Sequence, residues 1–221
     1  MNIIRGNKEK LETQLIDIFV KEINTLLKKK DKIIIGIPGG TSVQGIFERF
    51  KTLNITWSKV HIFLVDERLI GNDDPQSNFK LANDAFINDL INKKVLPKQN
   101  IHPFNYDPNK NDGGVSAYEK DFLKQGEAFD IVILGAGEDG HIASLFPNHP
   151  SIQDESNYFI KVKNSPKPPP LRMSATKKLI SSAKISFLLF LGKNKKAALE
   201  NFLNENISLA ACPAKITKNI K

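Results

Sequence analysis

The sequence of 221 residues contains one cysteine, Cys212, so neither an internal disulfide nor a zinc-binding cysteine cluster can form. It also has no apolar run of the roughly 18 residues that a membrane-spanning helix requires. The N-terminus lacks the apolar core and small-residue cleavage site of a signal peptide. We therefore expect a cytoplasmic protein with no membrane partner.

Acidic residues are in deficit, with 24 Asp and Glu against 32 Lys and Arg and a net charge of +8. A basic chain favours an anionic partner: a nucleic acid, a membrane surface or a small phosphorylated molecule. The excess is mostly scattered lysine, without a dense arginine block or aromatic residues interleaved among the lysines. This pattern is typical of a solvated surface, so we expect no nucleic acid as a partner, but charge alone does not choose among the anionic partners.

Short apolar runs alternate with segments of helical periodicity, and no internal repeat or long linker interrupts them. Strands are predicted at residues 32–37, 60–65, 130–134, 158–162 and 186–191, and a polar loop is predicted at residues 66–76. Strands joined through helices imply right-handed crossovers and a mainly parallel sheet with helices on both faces, a Rossmann-like α/β fold. We expect one domain, residues 1–221, with its ligand beyond the carboxyl ends of the strands.

The first unusual loop, at residues 38–42, places Gly39 and Gly40 between a predicted strand and a predicted helix. Consecutive glycines let backbone N–H groups approach an anion at a helix N-terminus, and the hydroxyls of Thr41 and Ser42 add donors. The loop lacks the Gly-Lys-Ser/Thr ending of a P-loop, so it suits a single phosphate group. A tight turn with Thr41 or Ser42 as a helix cap is an equally good interpretation.

The loop at residues 135–141 matches the G-x-G-x-x-G pattern of dinucleotide sites, but Glu138 and Asp139 put two carboxylates where a pyrophosphate would lie. We therefore expect no nicotinamide or flavin cofactor. His141, beside these carboxylates, is well placed as a general base. A helix-capping residue, a surface histidine and a metal ligand are the alternatives. The metal is the weakest, because no second histidine or cysteine lies at ligand spacing.

Cationic side chains follow three of the predicted strands. Arg68, after Asp66 and Glu67, can clamp a phosphate or a carboxylate, and the two acids can hold it rigid or join acid–base chemistry. A surface salt-bridge cluster is the common alternative. The proline-rich residues 165–172 carry Lys167 and Arg172 on a stiff segment, which also suits a plain connector. Lys195, with Lys193 and Lys196, is either another phosphate contact or a solvated helix start.

The order of these motifs resembles that of the glucosamine-6-phosphate isomerase/6-phosphogluconolactonase family. The shared motifs are Gly39-Gly40-Thr41, Asp66-Glu67-Arg68 with Ser77-Asn78, the run from Gly135 to Pro147, and the proline-rich segment from Ser165 to Arg172. The resemblance implies a fold like that of glucosamine-6-phosphate deaminase and ribose-5-phosphate isomerase. It also implies metal-independent, cofactor-free hydrolysis of 6-phospho-D-glucono-1,5-lactone in the oxidative pentose phosphate pathway.

Roles carried over by position make His141 the base that activates water, with Asp139 and Asp66 in the catalytic pocket beside Lys167. The residues expected at the substrate phosphate or the developing oxyanion are Gly39, Gly40, Thr41, Ser42, Arg68, Lys167, Arg172 and Lys195. Which cation meets the phosphate and which meets the oxyanion is open at this point. The sequence is compatible with a monomer or a small homo-oligomer.

The sequence departs from the family pattern in places. Pro38 replaces a serine, Gly71 replaces a proline, and Ile142 stands where deaminases also have isoleucine. The chain ends at Lys221 without the family's final tryptophan-containing strand, so we expect an altered edge element. A deaminase is the nearest alternative, although Arg68 and the Ser-Leu-Phe-Pro run at 144–147 favour the lactonase. A non-catalytic sugar-phosphate sensor or a nucleic-acid-binding domain is the alternative from another class.

Overall fold

The computed structural model describes all residues, 1–221, and opens on helix α1, Lys8–Leu27. The side chain of Asn7 caps it by accepting a hydrogen bond from the Lys10 N–H at 2.9 Å. Leu15, Phe19 and Ile23, spaced four residues apart, form its buried stripe. The helix therefore has one apolar face, which it buries against the rest of the chain.

The other elements follow the alternation that the sequence predicts. The strands are β1 Ile33–Ile37, β2 Val60–Leu64, β3 Asp66–Arg68, β4 Ile101–His102, β5 Ile131–Gly135, β6 Phe159–Val162, β7 Arg172–Ala175 and β8 Ile185–Leu189. The helices after α1 are α2 Gln44–Phe50, α3 Asn78–Ala82, α4 Asn88–Asn92, α5 Val115–Gln125, α6 Pro150–Gln153, α7 Lys177–Ser181 and α8 Lys196–Leu203. A π-helical turn, Asn83–Ile87, joins α3 to α4.

Five strands form a parallel sheet in the order β4-β2-β1-β5-β8, which confirms the predicted mainly parallel α/β fold. Every residue of β1 is buried, and successive side chains of a strand point to opposite faces, so both faces of the sheet centre are covered. The chain passes from β1 to β2 on one side and later returns to place β5 on the other. The strand order therefore reverses between β1 and β5, where open α/β sheets bind ligands.

A second sheet, antiparallel and of order β3-β7-β6, was not predicted from the sequence. The expected strand at residues 158–162 exists as β6, but it belongs to this antiparallel sheet. The expectation of a loop from residue 66 was wrong at its start, because Asp66–Arg68 pairs with β7. Three consecutive polar residues carry no strand pattern of their own. They form a strand because β7 supplies the backbone partners and the carboxylates of Asp66 and Glu67 find hydrogen-bond donors nearby.

Phenylalanines are the largest fully buried side chains of the core. Phe47, Phe50 and Phe86 pack together next to α1, with ring centroids 5.1 to 5.9 Å apart. Phe63 of β2 meets Phe122 of α5 edge-on, with centroids 5.1 Å apart.

At the sheet edge, the backbone N–H of Ser186 in β8 donates to the backbone carbonyl of Lys221 at 2.8 Å. None of the helices is both long enough and apolar enough to span a membrane.

Candidate active site

The loops after β1 and β5 meet at the point where the strand order reverses. After β1, Gly40 has a φ of +90°, and Thr41–Val43 forms a 3₁₀ turn that leads into α2. A Cβ on Gly39 would lie 1.8 Å from Oδ1 of Asn78, so the turn is in contact with the start of α3. The Cβ of Ser42 lies 3.9 Å from the position that a Cβ on Gly135 would take. The two predicted ligand loops are therefore neighbours.

No side chain caps the start of the 3₁₀ turn. Its N-cap is Gly40, which has no side chain to accept a hydrogen bond from the first backbone N–H groups. The alternative interpretation, in which Thr41 or Ser42 is the helix cap, is therefore wrong. Thr41 is exposed and Ser42 is half-buried, so both hydroxyls remain accessible. The geometry is compatible with a bound anion, and the phosphate contact stays a prediction.

His141 and Asp139 form a hydrogen-bonded pair at the end of β5. Nδ1 of His141 lies 2.6 Å from Oδ1 of Asp139, and the same oxygen accepts the His141 backbone N–H at 3.2 Å. Burial opposes ionisation of Asp139, but the hydrogen bond and charge of His141, its backbone N–H and the charge of Lys167 together lower the pKa of Asp139 below its usual value. An ionised Asp139 requires the proton on Nδ1, which leaves the lone pair of Nε2 free to accept a proton.

Gly137 allows this pair to form. A Cβ on Gly137 would lie 2.0 Å from Nδ1 of His141 and 2.6 Å from Oδ1 of Asp139, so any other residue would displace the imidazole. The loop is closed by the Gly137 N–H, which donates to the His141 carbonyl at 2.8 Å. Gly140 adopts a φ of +86° at the turn. The glycines of this loop thus allow the backbone to lie close to the imidazole of His141.

Phe146 packs between two of the predicted site residues. Its ring centroid lies 4.8 Å from that of His141, and the Cζ atom of Arg172 lies 5.6 Å from the same centroid. The phenyl ring therefore restricts the orientation of the imidazole on the side facing Arg172.

Asp66 belongs to a buried polar network next to the histidine loop. Its Oδ2 accepts the Ser144 hydroxyl at 2.8 Å, and its backbone carbonyl accepts the Asn78 carboxamide at 2.8 Å. The Oγ of Ser174 accepts the Ser144 backbone N–H at 3.1 Å. Asp66 thus joins β3 to the segment after His141, and its side-chain bonds run to Ser144 and Asn78 instead of His141. This arrangement gives Asp66 a place beside the pair but no direct bond to it.

Arg172 holds the proline-rich segment in place. Its Nε donates to the Pro169 carbonyl at 3.1 Å, and its Nη2 donates to the carbonyls of Lys167 and Pro168 at 3.0 and 2.9 Å. Nη1 lies 3.9 Å from Oδ2 of Asp66. Burial lowers the pKa of Arg172, although the guanidinium remains charged at neutral pH. Only one edge of this guanidinium is left for a substrate.

The other predicted cations, Arg68 and Lys195, make fewer hydrogen bonds to the protein than Arg172 does. Arg68 pairs across the sheet with Arg172, donates Nη1 to the Gln76 carbonyl and has a buried Nε without a protein partner. Lys195 is half-buried in the loop after β8, and its neighbour Asn194 donates to Glu138 at 2.5 Å. The structure thus brings the loops after β1, β3, β5 and β8 and the proline-rich segment to one end of the sheet.

Several of these contacts were not foreseen from the sequence, among them the bond from Ser144 to Ser174 and the bond from Asn194 to Glu138. Ser174 lies two residues beyond Arg172 on β7 and so points to the same face of the sheet. This spacing could have revealed it, had residues 172–175 been recognised as a strand. No group of three or more His, Cys, Asp or Glu side chains is arranged to hold a metal ion.

The profile of the family described as "Glucosamine-6-phosphate isomerases/6-phosphogluconolactonase" matches residues 6–220. The chain belongs to this family. It is 36% identical to a 6-phosphogluconolactonase of Borreliella burgdorferi over 94% of its length and 88% of the relative's.

Solved structures agree with this membership. The crystal structure of 6-phosphogluconolactonase from Thermotoga maritima superposes with a TM-score of 0.82 at 25% identity, over 93% of this chain and 89% of that one. A monomeric glucosamine-6-phosphate deaminase superposes with a TM-score of 0.79 at 22% identity, over 100% of this chain and 94% of that one. The deaminase shares the fold, so the fold alone does not separate the two activities.

Proposed function

We propose that the chain hydrolyses 6-phospho-D-glucono-1,5-lactone to 6-phospho-D-gluconate, with His141 as the general base. The observation that carries this proposal is the Asp139–His141 pair, 2.6 Å apart, at the point where the strand order reverses. The proposal is also supported by the Borreliella relative, which is named a 6-phosphogluconolactonase and matches most of the chain.

In the proposed mechanism, the ionised Asp139 accepts a hydrogen bond from the Nδ1–H of His141, and the unprotonated Nε2 takes a proton from water to give an imidazolium. The water oxygen attacks the lactone carbonyl carbon, and the carbonyl electrons move onto oxygen to give a tetrahedral oxyanion. When the oxyanion collapses, the bond from the carbonyl carbon to the ring oxygen breaks. The imidazolium returns its proton to that oxygen, which becomes a hydroxyl group. Because a lactone is an activated ester, the reaction requires no covalent nucleophile.

The substrate phosphate is assigned to the turn formed by Gly39, Gly40, Thr41 and Ser42, with Arg68 as its principal side-chain cation. Two observations support the assignment of Arg68 to the phosphate. Its buried Nε has no protein partner, and the residue as a whole is only partly buried. Lys167 is assigned to the pocket near Asp139, whose pKa its charge helps to lower. Lys195, half-buried in the 3₁₀ turn after β8, is assigned as a further cation for the substrate. Arg172 acts mainly by shaping the proline-rich segment, because Nε and Nη2 are bound to backbone carbonyls.

The reaction as proposed needs neither a metal nor an organic cofactor, since water, base and oxyanion stabilisation are supplied by protein groups. It is the second step of the oxidative pentose phosphate pathway. The deaminase alternative is disfavoured by Arg68, because the family's deaminases favour tyrosine at that position of the motif. Release of ammonia from glucosamine 6-phosphate by the purified protein would establish the deaminase instead.

The decisive assay supplies freshly generated 6-phosphogluconolactone to the purified protein and compares hydrolysis with the spontaneous rate. We expect strong acceleration, and we expect His141→Ala to lose about 100- to 10,000-fold in kcat, the usual contribution of a general base. His61→Gln is the matched control, because His61 lies near the start of β2, at the opposite end of the sheet. No acceleration by the wild type refutes the function, and a fully active His141→Ala variant refutes the mechanism.

A further inference from the structure

Glu67 is a completely buried carboxylate to which the proposed chemistry assigns no role. Its Oε1 accepts the backbone N–H groups of Arg68 and Asn78 at 2.7 and 2.8 Å. Its Oε2 accepts the Ser77 hydroxyl at 2.9 Å and the Phe79 backbone N–H at 2.8 Å. Four uncharged donors therefore surround a charge that no water reaches.

These donors come from two different elements. Glu67 and Arg68 belong to β3, whereas Ser77 is the N-cap of α3 and the next two residues form its first turn. A carboxylate at this position satisfies N–H groups that have no partner within the helix, and it interacts favourably with the positive end of the helix dipole. The side chain of Glu67 thus fixes the beginning of α3 against β3.

Asn78, the first residue of that helix, is in contact with the pocket on two sides. Its carboxamide nitrogen donates to the backbone carbonyl of Asp66 at 2.8 Å and lies 3.3 Å from the Asp66 carboxylate. Its Oδ1 lies against Gly39, where a Cβ would be only 1.8 Å away. The position of Asn78 therefore determines the separation between Asp66 and the turn after β1.

We propose that Glu67 is a positioning residue, which acts through Asn78 to hold the Gly39–Ser42 turn at the correct distance from Asp66. The hydrogen bonds of Glu67 go to Arg68 and to the start of α3 and not to the turn or the histidine loop, so its effect on the substrate passes through the helix start. This inference rests on the proposed lactonase function, because it assigns the turn to the substrate phosphate.

The test is Glu67→Gln, which keeps the size of the side chain but replaces one acceptor oxygen with an amide donor facing two other donors. We expect the variant to fold and to lose about 10- to 100-fold in kcat/KM, the cost of buried donors left unpaired and a displaced binding loop. Most of the loss should be a rise in KM. A purely structural role gives a different result, because a partly unfolded population lowers the apparent kcat and leaves KM unchanged.

Three further variants complete the experiment. Asn78→Ala keeps the carboxylate of Glu67 and should show a similar rise in KM, even if Glu67→Gln fails to fold. The double variant should be no worse than the more severe single one, because both residues act through one contact. Asp130→Asn is the matched control: Asp130 is another buried carboxylate, but it bonds Lys30 and the Ile34 N–H near the opposite end of the sheet. Its KM should equal that of the wild type.

Binding of 6-phosphogluconate, measured by calorimetry in parallel, makes the result independent of turnover. Weaker binding in both Glu67→Gln and Asn78→Ala supports the inference even if the wild type does not hydrolyse the lactone, a result that refutes only the proposed function. A folded Glu67→Gln variant with wild-type KM and wild-type binding overturns the inference alone. Independent, multiplying effects of the two substitutions also overturn it, and absence of binding to the wild type overturns both proposals.

Discussion

Replacing Asp139 with asparagine isolates the charge of the carboxylate that bonds His141, because the two side chains have nearly the same size. In the wild type, Oδ1 of Asp139 lies 2.6 Å from Nδ1 of His141, and its pKa lies below the usual value, so the group stays ionised at neutral pH. In the proposed mechanism, the carboxylate stabilises the imidazolium that forms when Nε2 takes a proton from water. The amide oxygen of the asparagine side chain can still accept the Nδ1 proton, but it carries no charge.

The expected magnitude follows from the charged hydrogen bond that is lost. Such bonds contribute about 1.5 to 3 kcal/mol, and each ~1.4 kcal/mol of transition-state stabilisation is about tenfold in rate. The variant should therefore lose about 10- to 150-fold in kcat, with a smaller change in KM, because the carboxylate acts on the base and not on the substrate phosphate.

The assay is lactone hydrolysis corrected for the spontaneous rate. Glu138→Gln is the matched control: Glu138 lies in the same loop, but its side chain bonds Asn194. We expect this variant to keep a kcat within a few-fold of the wild type. Full activity of Asp139→Asn, or an equal loss in both variants, would show that the Asp139–His141 bond does not serve the base.

Three further outcomes are expected. Gly137→Ala should lose most of its kcat while remaining folded by circular dichroism, because the new Cβ would lie 2.0 Å from His141 Nδ1; wild-type kcat would contradict this. Arg68→Lys should raise KM about tenfold with little change in kcat, because lysine cannot make a bidentate phosphate contact; an unchanged KM removes Arg68 from the phosphate site. Burial, then the charges of His102 and Lys32, lower the pKa of His61 to about 4, whereas Asp121 raises it. The unfolded chain therefore takes up a proton first as pH falls, so the Tm should drop between about pH 6.5 and 4. This drop in Tm should be smaller in His61→Gln. If the Tm of the variant and of the wild type depended on pH in the same way, the lowered pKa of His61 would be refuted as its cause.

The elements that the sequence revealed are those whose patterns are local. The strands β1, β2, β5 and β8 are nearly continuous apolar runs, as expected of strands buried in a parallel sheet. The Asp139–His141 pair was also accessible to sequence reasoning, because its members are two residues apart and Gly137 and Gly140 flank them.

The short strands β3 and β4 were not recognisable, because two or three residues are too few to show a period, and the four residues of β7 lack the apolar run that indicated β6. Consequently the hydrophobic pattern of the sequence could not predict the antiparallel sheet or the pairing of Arg68 with Arg172. The bond from Ser144 to Asp66 joins residues 78 positions apart, and only the folded chain brings them together.

The amino-acid sequence by itself thus determined the alternating α/β architecture, the reactive loops and the histidine with its carboxylate, because each depends on neighbours within a few residues. Only the folded chain shows which partners the two arginines have. Arg172 looked equivalent to Arg68 in the sequence, yet its Nε and Nη2 bind carbonyls of the proline-rich segment, whereas Nε of Arg68 has no protein partner. The physical reason is that hydrogen-bond partners of a buried guanidinium come from whichever backbone the fold places around it.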